Sequence, residues 1–150
     1  MSEWIKPIYD RTQSDIVFAI SKIEEWRKTG ATNVYELKGC LNLSDINRIE
    51  GNIQYLTEHL SELYYLPKTT SNRWWINGLP DTTEVSRIIN NVREIISAYY
   101  QTSDAPPLPS TMLTYEQINS IEKNLYLIKN ILDDMISSFR ECGTFNCGEE

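Results

Sequence analysis

One segment of this chain is written twice. LNLSDINRIEGNIQYL, Leu41 to Leu56, returns 72 residues later as LTYEQINSIEKNLYLI, Leu113 to Ile128. At that offset Leu41 matches Leu113, Ile46 matches Ile118, Ile49 matches Ile121 and Leu60 matches Leu132. Apolar letters three and four residues apart are the mark of a helix that buries one face. A weaker echo joins the segments ahead of them: Trp4-Ile5 answers Trp75-Ile76, and Ile16, Ile20 and Ile23 answer Val85, Ile89 and Val92. The spacing therefore predicts two similar helix pairs, about 4–66 and 75–139, in a single 150-residue helical domain with a flexible tail over 142–150. The fold class expected is all-α: an antiparallel four-helix bundle with an ordered aromatic loop and a Pro-rich crossing segment.

Start and stop signals place the helices. Thr12 or Ser14 can cap the first, about 13–28, with Ile16, Ile20 and Ile23 on one stripe and Gly30 as its stop. Ser44 is the expected cap of the second, about 45–64, whose seam runs Ile46, Ile49, Ile53, Leu56, Leu60, Leu63. Asp81 and Glu84 have capping-box spacing at the start of the third, about 82–100, where Val85, Ile88, Ile89, Val92, Ile95, Ile96 and Tyr99 form a wide apolar face. Thr114 and Gln117 repeat that spacing ahead of the fourth, about 115–141, with Ile118, Ile121, Leu125, Ile128, Leu132, Met135 and then Phe139. Residues 31–42 are compatible with an extended piece or a helical turn. LPKTTSNRWWINGLP reads as a loop pinned by aromatics, and TSDAPPLPSTM as an extended strap.

Burial forces the apolar matches of the repeat, but not the polar ones. Asn47 recurs as Asn119, Glu50 as Glu122 and Asn52 as Asn124. These six flank the seams, where short polar side chains fix register by bonding to neighbouring backbone. The expectation is that each bonds the segment leading into its own helix pair. Adjacent Trp74 and Trp75 are the candidate protein interface, the alternative being that they plug one end of the bundle.

No constellation for chemistry emerges. His59 is the sole histidine, so no metal site of several histidines can form in one copy. Its place beside the seam suits a solvated or half-buried role. No glycine-rich turn follows a strand to cradle phosphate, and no serine has a nucleophile-elbow context. The acidic pairs Glu24-Glu25 and Asp133-Asp134 are sequence neighbours, which point apart on a helix. Neither a catalytic residue nor a cofactor is assigned. The net charge is -7, with 14 basic residues scattered among 21 acidic ones, which argues against nucleic-acid binding. No apolar run approaches the ~20 residues that span a bilayer. The N-terminus lacks a signal-peptide pattern, so the chain, made in the bacterial cytoplasm, is expected to stay in that compartment or to leave inside a larger assembly such as a virion tail. Three cysteines, Cys40, Cys142 and Cys147, do not make a disulfide framework. Cys142 and Cys147 either close a small loop or remain thiols.

WIKPIYDRTQSDI, the LKGCLNLSDINRIEGNIQYL block, DTTEVSRIINNVREI, the Pro-rich strap, LTYEQINSIEKNLYLIKN and GTFNCGEE together resemble small structural proteins of the tail modules of phages and prophages of Gram-positive bacteria. The likeness covers nearly the whole chain. Its most specific parts are LNxSDINRIExNxxYL and the upstream P-x-x-DRT. It implies a non-enzymatic tail, fibre or baseplate-associated role, with protein partners that are other tail proteins or further copies of this chain. The alternative is a cytoplasmic helical regulatory protein that binds a host or phage partner. An enzyme with an unrecognised acidic site is the third reading.

Overall fold

The computed structural model describes residues 2–70 and 78–142, the last three as helical backbone. Four α-helices follow in order: α1, Gln13–Thr29; α2, Leu43–Glu62; α3, Thr82–Ala98; α4, Tyr115–Cys142. The described residues contain no strand. The all-α class with four helices is thus the one that the periodicity called for, but the antiparallel order is not. Glu50–Arg87, Tyr65–Tyr99 and Arg48–Glu122 join corresponding levels of α2, α3 and α4, so these three run in the same direction. Each is preceded by a long connection that returns the chain to the same end, and α1 packs against none of them.

Local chemistry explains the ends. Thr12 caps α1 reciprocally: its N–H donates to Asp15 Oδ2 (2.8 Å), and its hydroxyl accepts from Asp15 N–H (3.4 Å). Gly30, at φ 62°, closes α1 in the left-handed conformation that glycine adopts without steric cost. Asp81 accepts from Glu84 N–H (2.9 Å) at α3. Thr114 and Gln117 form the expected reciprocal pair at α4 (3.1 and 3.3 Å). At α2 the cap is Asn42 rather than Ser44. Asp45 reaches back to Asn42 N–H (2.9 Å), while Ser44 donates its hydroxyl to Glu36. Two more helical residues result.

The core is drawn from three helices. Ile46, Ile49, Ile53, Leu56 and Leu60 of α2 meet Ile88, Ile89, Val92 and Ile95 of α3 and Ile118, Ile121, Leu125, Ile128 and Leu132 of α4, with Met112 of the strap closing the cluster. These three helices pack pairwise. Phe139, expected to follow the α4 seam, is 62% exposed. At 28 residues α4 is longer than α2 (20) or α3 (17).

α1 attaches differently. Its inward residue is Ala19, while Ile20, expected on the buried stripe, is 53% exposed. The reason lies in residues 37–40, which form a turn closed by Cys40 N–H to Leu37 carbonyl (2.9 Å). Gly39 of that turn lies so close to α1 that a Cβ there would overlap the Asp15 carbonyl and come 2.9 Å from Ala19 Cβ. Only small residues permit this approach, so α1 presents Ala19 to the turn and leaves its bulkier neighbours outside. Leu37 is buried beside it.

Candidate functional site

The extended connections pose an accounting problem, because a buried backbone N–H or C=O needs a partner and a lone extended segment has no strand beside it. Asparagine side chains supply one. Asn52 of α2 accepts from Ile5 N–H (2.9 Å) and donates to Ile5 carbonyl (2.7 Å). Asn119 of α4 does the same for Arg11 (3.3 and 2.9 Å). Asn91 of α3 does so for Thr70 (2.9 and 2.7 Å). A primary amide carries a donor and an acceptor at the spacing of a peptide group, so it can stand in for a neighbouring strand. Asn124 holds the strap, donating to Pro106 carbonyl (2.8 Å) and accepting from Gln101 Nε2 (2.9 Å). Asn47 is also engaged in an interaction.

The segment before α1 is fastened along its length. Ser2 donates its N–H (3.1 Å) and hydroxyl (2.7 Å) to Glu58 Oε2. Trp4 lies against Tyr55 (centroids 5.6 Å apart), and Tyr9 lies against Tyr126 (5.0 Å) beneath Lys123 Nζ (4.4 Å). Going from Ser2 to Arg11, the contacts on α2 descend from Glu58 through Asn52 to Asp45. Those on α4 descend from Tyr126 to Glu122 and Asn119. The segment therefore runs antiparallel to both helices, and α2 and α4 share a direction.

It ends in a closed ionic ring. Arg11 Nη1 donates to Glu122 Oε2 (2.7 Å) and Nη2 to Asp45 Oδ1 (2.8 Å); Arg48 Nε donates to Glu122 Oε1 (2.6 Å) and Nη2 to Asp45 Oδ1 (2.6 Å). Arg11 Nη1 also donates to Ile8 carbonyl (2.5 Å). All four residues are buried, with Glu122 only 1% exposed. Two guanidiniums alternate with two carboxylates, so the formal charge cancels. Burial opposes the charge on Arg48, but the Glu122 and Asp45 carboxylates outweigh it and its pKa rises above the ordinary value. Removing one member of such a buried set strands the others and costs about 3–5 kcal/mol.

The sequence-derived residues divide accordingly. Asn52 holds the lead-in of its own helix pair, whereas Asn119 reaches across to the first half's lead-in and Asn124 holds the strap. The two glutamates take arginine side chains rather than backbone: Glu122 those of Arg11 and Arg48, and Glu50 that of Arg87, which also bonds Glu84 (2.8 Å) and Thr70 carbonyl (2.8 Å). Trp74, Trp75 and Cys147 lie outside the described residues. Arg11, Asp45 and Arg48 stand in the two motifs that carry the resemblance but were given no role from sequence, and Asn91 was not singled out. Asn91 had left a signal, since it falls three residues after Ile88 and four before Ile95, on the buried stripe. Asp45 and Arg48 likewise precede Asn52 at helical spacing.

Elsewhere His59 stacks on Tyr55 (3.9 Å) and its Nδ1 lies 2.9 Å from Tyr55 carbonyl. Cys40 is a half-buried free thiol. A cavity of about 320 Å³ opens where the starts of α3 and α4 meet, lined by Leu41, Leu79, Val85, Met112 and Leu113. Among the described residues no helix is long and apolar enough to cross a membrane, and no group of three or more His, Cys, Asp or Glu could hold a metal ion. No family model, curated protein or solved structure matches the chain.

Proposed function

We propose that this chain is a non-enzymatic structural or adaptor protein of a phage or prophage tail module, working through contacts with other proteins. The observation that carries the protein-contact reading is a division of labour between polar and apolar groups. The buried polar groups of the ring and clamps hold the chain's own segments, whereas large apolar side chains stand outside on α1 and the loop after it: Val17, Phe18, Ile20, Val34 and Tyr35, each more than half exposed. A frame locked inside and apolar outside suits an assembly component. The tail assignment rests on the resemblance of P-x-x-DRT and LNxSDINRIExNxxYL.

Mass spectrometry of particles induced and purified from the host tests it. Peptides of this chain at a fixed ratio to a tail protein are expected. Their absence from intact particles, while the chain is expressed in the same cells, would overturn the tail assignment and favour a regulatory binding partner in the cytoplasm.

A further inference from the structure

We infer that α1 is a self-association surface, occupied by the α1 of a second copy. The inference rests on the protein-contact reading above and names the partner. It starts from how little of α1 is used inside the molecule. Of its 17 residues only Ala19 is buried, and it packs against no other helix. On its outward half Val17, Phe18 and Ile20 are 54%, 58% and 53% exposed, and Val34 and Tyr35 in the following loop are 62% and 57% exposed. Tyr35 meets Trp26 edge-on (5.0 Å), which ties that loop to the helix. A 17-residue helix with one buried residue has little tertiary packing to hold it, and packing of an apolar face is what stabilises most helices.

Charge and area select the occupant. From Gln13 to Glu36 the basic residues Lys22, Arg27 and Lys28 nearly balance Asp15, Glu24, Glu25 and Glu36, in a chain whose net charge is -7. This is where two acidic copies approach with little repulsion. Val17, Phe18 and Ile20 fall within one turn, so a two-fold axis there sets each trio against its counterpart in antiparallel α1 helices. The five exposed residues offer on the order of 400 Å² of apolar surface, the size of a monomer's largest patch. Doubled and rimmed by polar residues, that suits a small, concentration-dependent dimer rather than an obligate one.

Light scattering after size exclusion, over a dilution series of the full chain, tests the inference. The wild type is expected at twice the chain mass when concentrated and at the monomer mass when dilute. Phe18→Glu and, separately, Ile20→Ser are expected to remain monomeric throughout with an unchanged helical melting curve. Leu113→Ser, at a residue 86% exposed outside α1, is expected to dimerise like the wild type. A wild type that is monomeric at every concentration overturns the inference, and this measurement needs no variant to fold. So does a dimer that survives both α1 substitutions. Either result leaves the particle measurement to decide the tail role independently.

Discussion

Asparagine at the edge of a seam meets two demands at once. It is short enough to lie flat on the helix, and its amide completes both hydrogen bonds of an extended residue that has no strand beside it. Aspartate cannot donate and leucine can do neither, which gives physical content to the persistence of Asn in both copies of the repeat. Replacing Asn52 by Ala orphans Ile5 N–H and C=O, and urea denaturation is expected to show a loss of about 1–3 kcal/mol. A change within the error of the wild-type curve would mean that water replaces the clamp without cost. The polar letters were legible as structural because they recur in frame, but their partners were not. Arg11 lies 34 residues from Asp45 and 111 from Glu122. No local pattern connects residues so far apart, and an arginine in a polar run such as YDRTQ looks like any solvated cation.

At the scale of elements, periodicity located the helices well and the small-residue contacts poorly. The Ile16, Ile20, Ile23 stripe had the right period for α1, but the close approach of Gly39 made Ala19 the inward residue. Gly39→Ala should press a methyl into the Asp15 carbonyl and cost about 1–3 kcal/mol. Hydrogen exchange is expected to show the loss first at α1 amides, with α3 unaffected; uniform loss would contradict local attachment. The end of α2 holds a second strained contact. Tyr64, at φ 66°, occupies the left-handed position after Leu63, with Tyr64 N–H donating to Ser61 carbonyl (3.1 Å) and Tyr65 N–H to Leu60 carbonyl (2.9 Å). A non-glycine residue pays roughly 1 kcal/mol there. Tyr64 is 91% exposed and so loses little packing, and Tyr64→Gly is expected to raise the melting temperature. The start of the lead-in makes a pH-dependent contribution. The hydroxyl of Ser2, then its N–H, with help from Gln54, lowers Glu58 from its ordinary 4.5 to about 2. A depressed carboxylate stabilises the fold above its unfolded pKa and loses that contribution as pH falls through the folded one. The stability difference between wild type and Glu58→Gln should therefore be full above pH 4.5 and vanish toward pH 2; a constant difference would show that Ser2 does not hold Glu58 in solution.

The whole molecule is organised around a segment that is not helical. Residues 2–11 lie across α2 and α4, antiparallel to both, and end in a ring whose four members come from the lead-in, α2 and α4. The apolar core alone would hold α2, α3 and α4 together. The ring adds a definite place for everything that precedes α2, because a guanidinium displaced by one residue would leave two buried carboxylates short of a partner. That positional role is the central claim, and a double-mutant cycle on Arg11 and Glu122 tests it most directly. Unfolding free energies would be measured for wild type, Arg11→Met, Glu122→Leu and the double variant. Each single substitution leaves the remaining three charges unbalanced, whereas the two together leave the neutral Arg48–Asp45 pair, so the double variant should lose less than the two single losses combined. A coupling of roughly 1–3 kcal/mol is expected. Additive losses, with coupling near zero, would contradict the account.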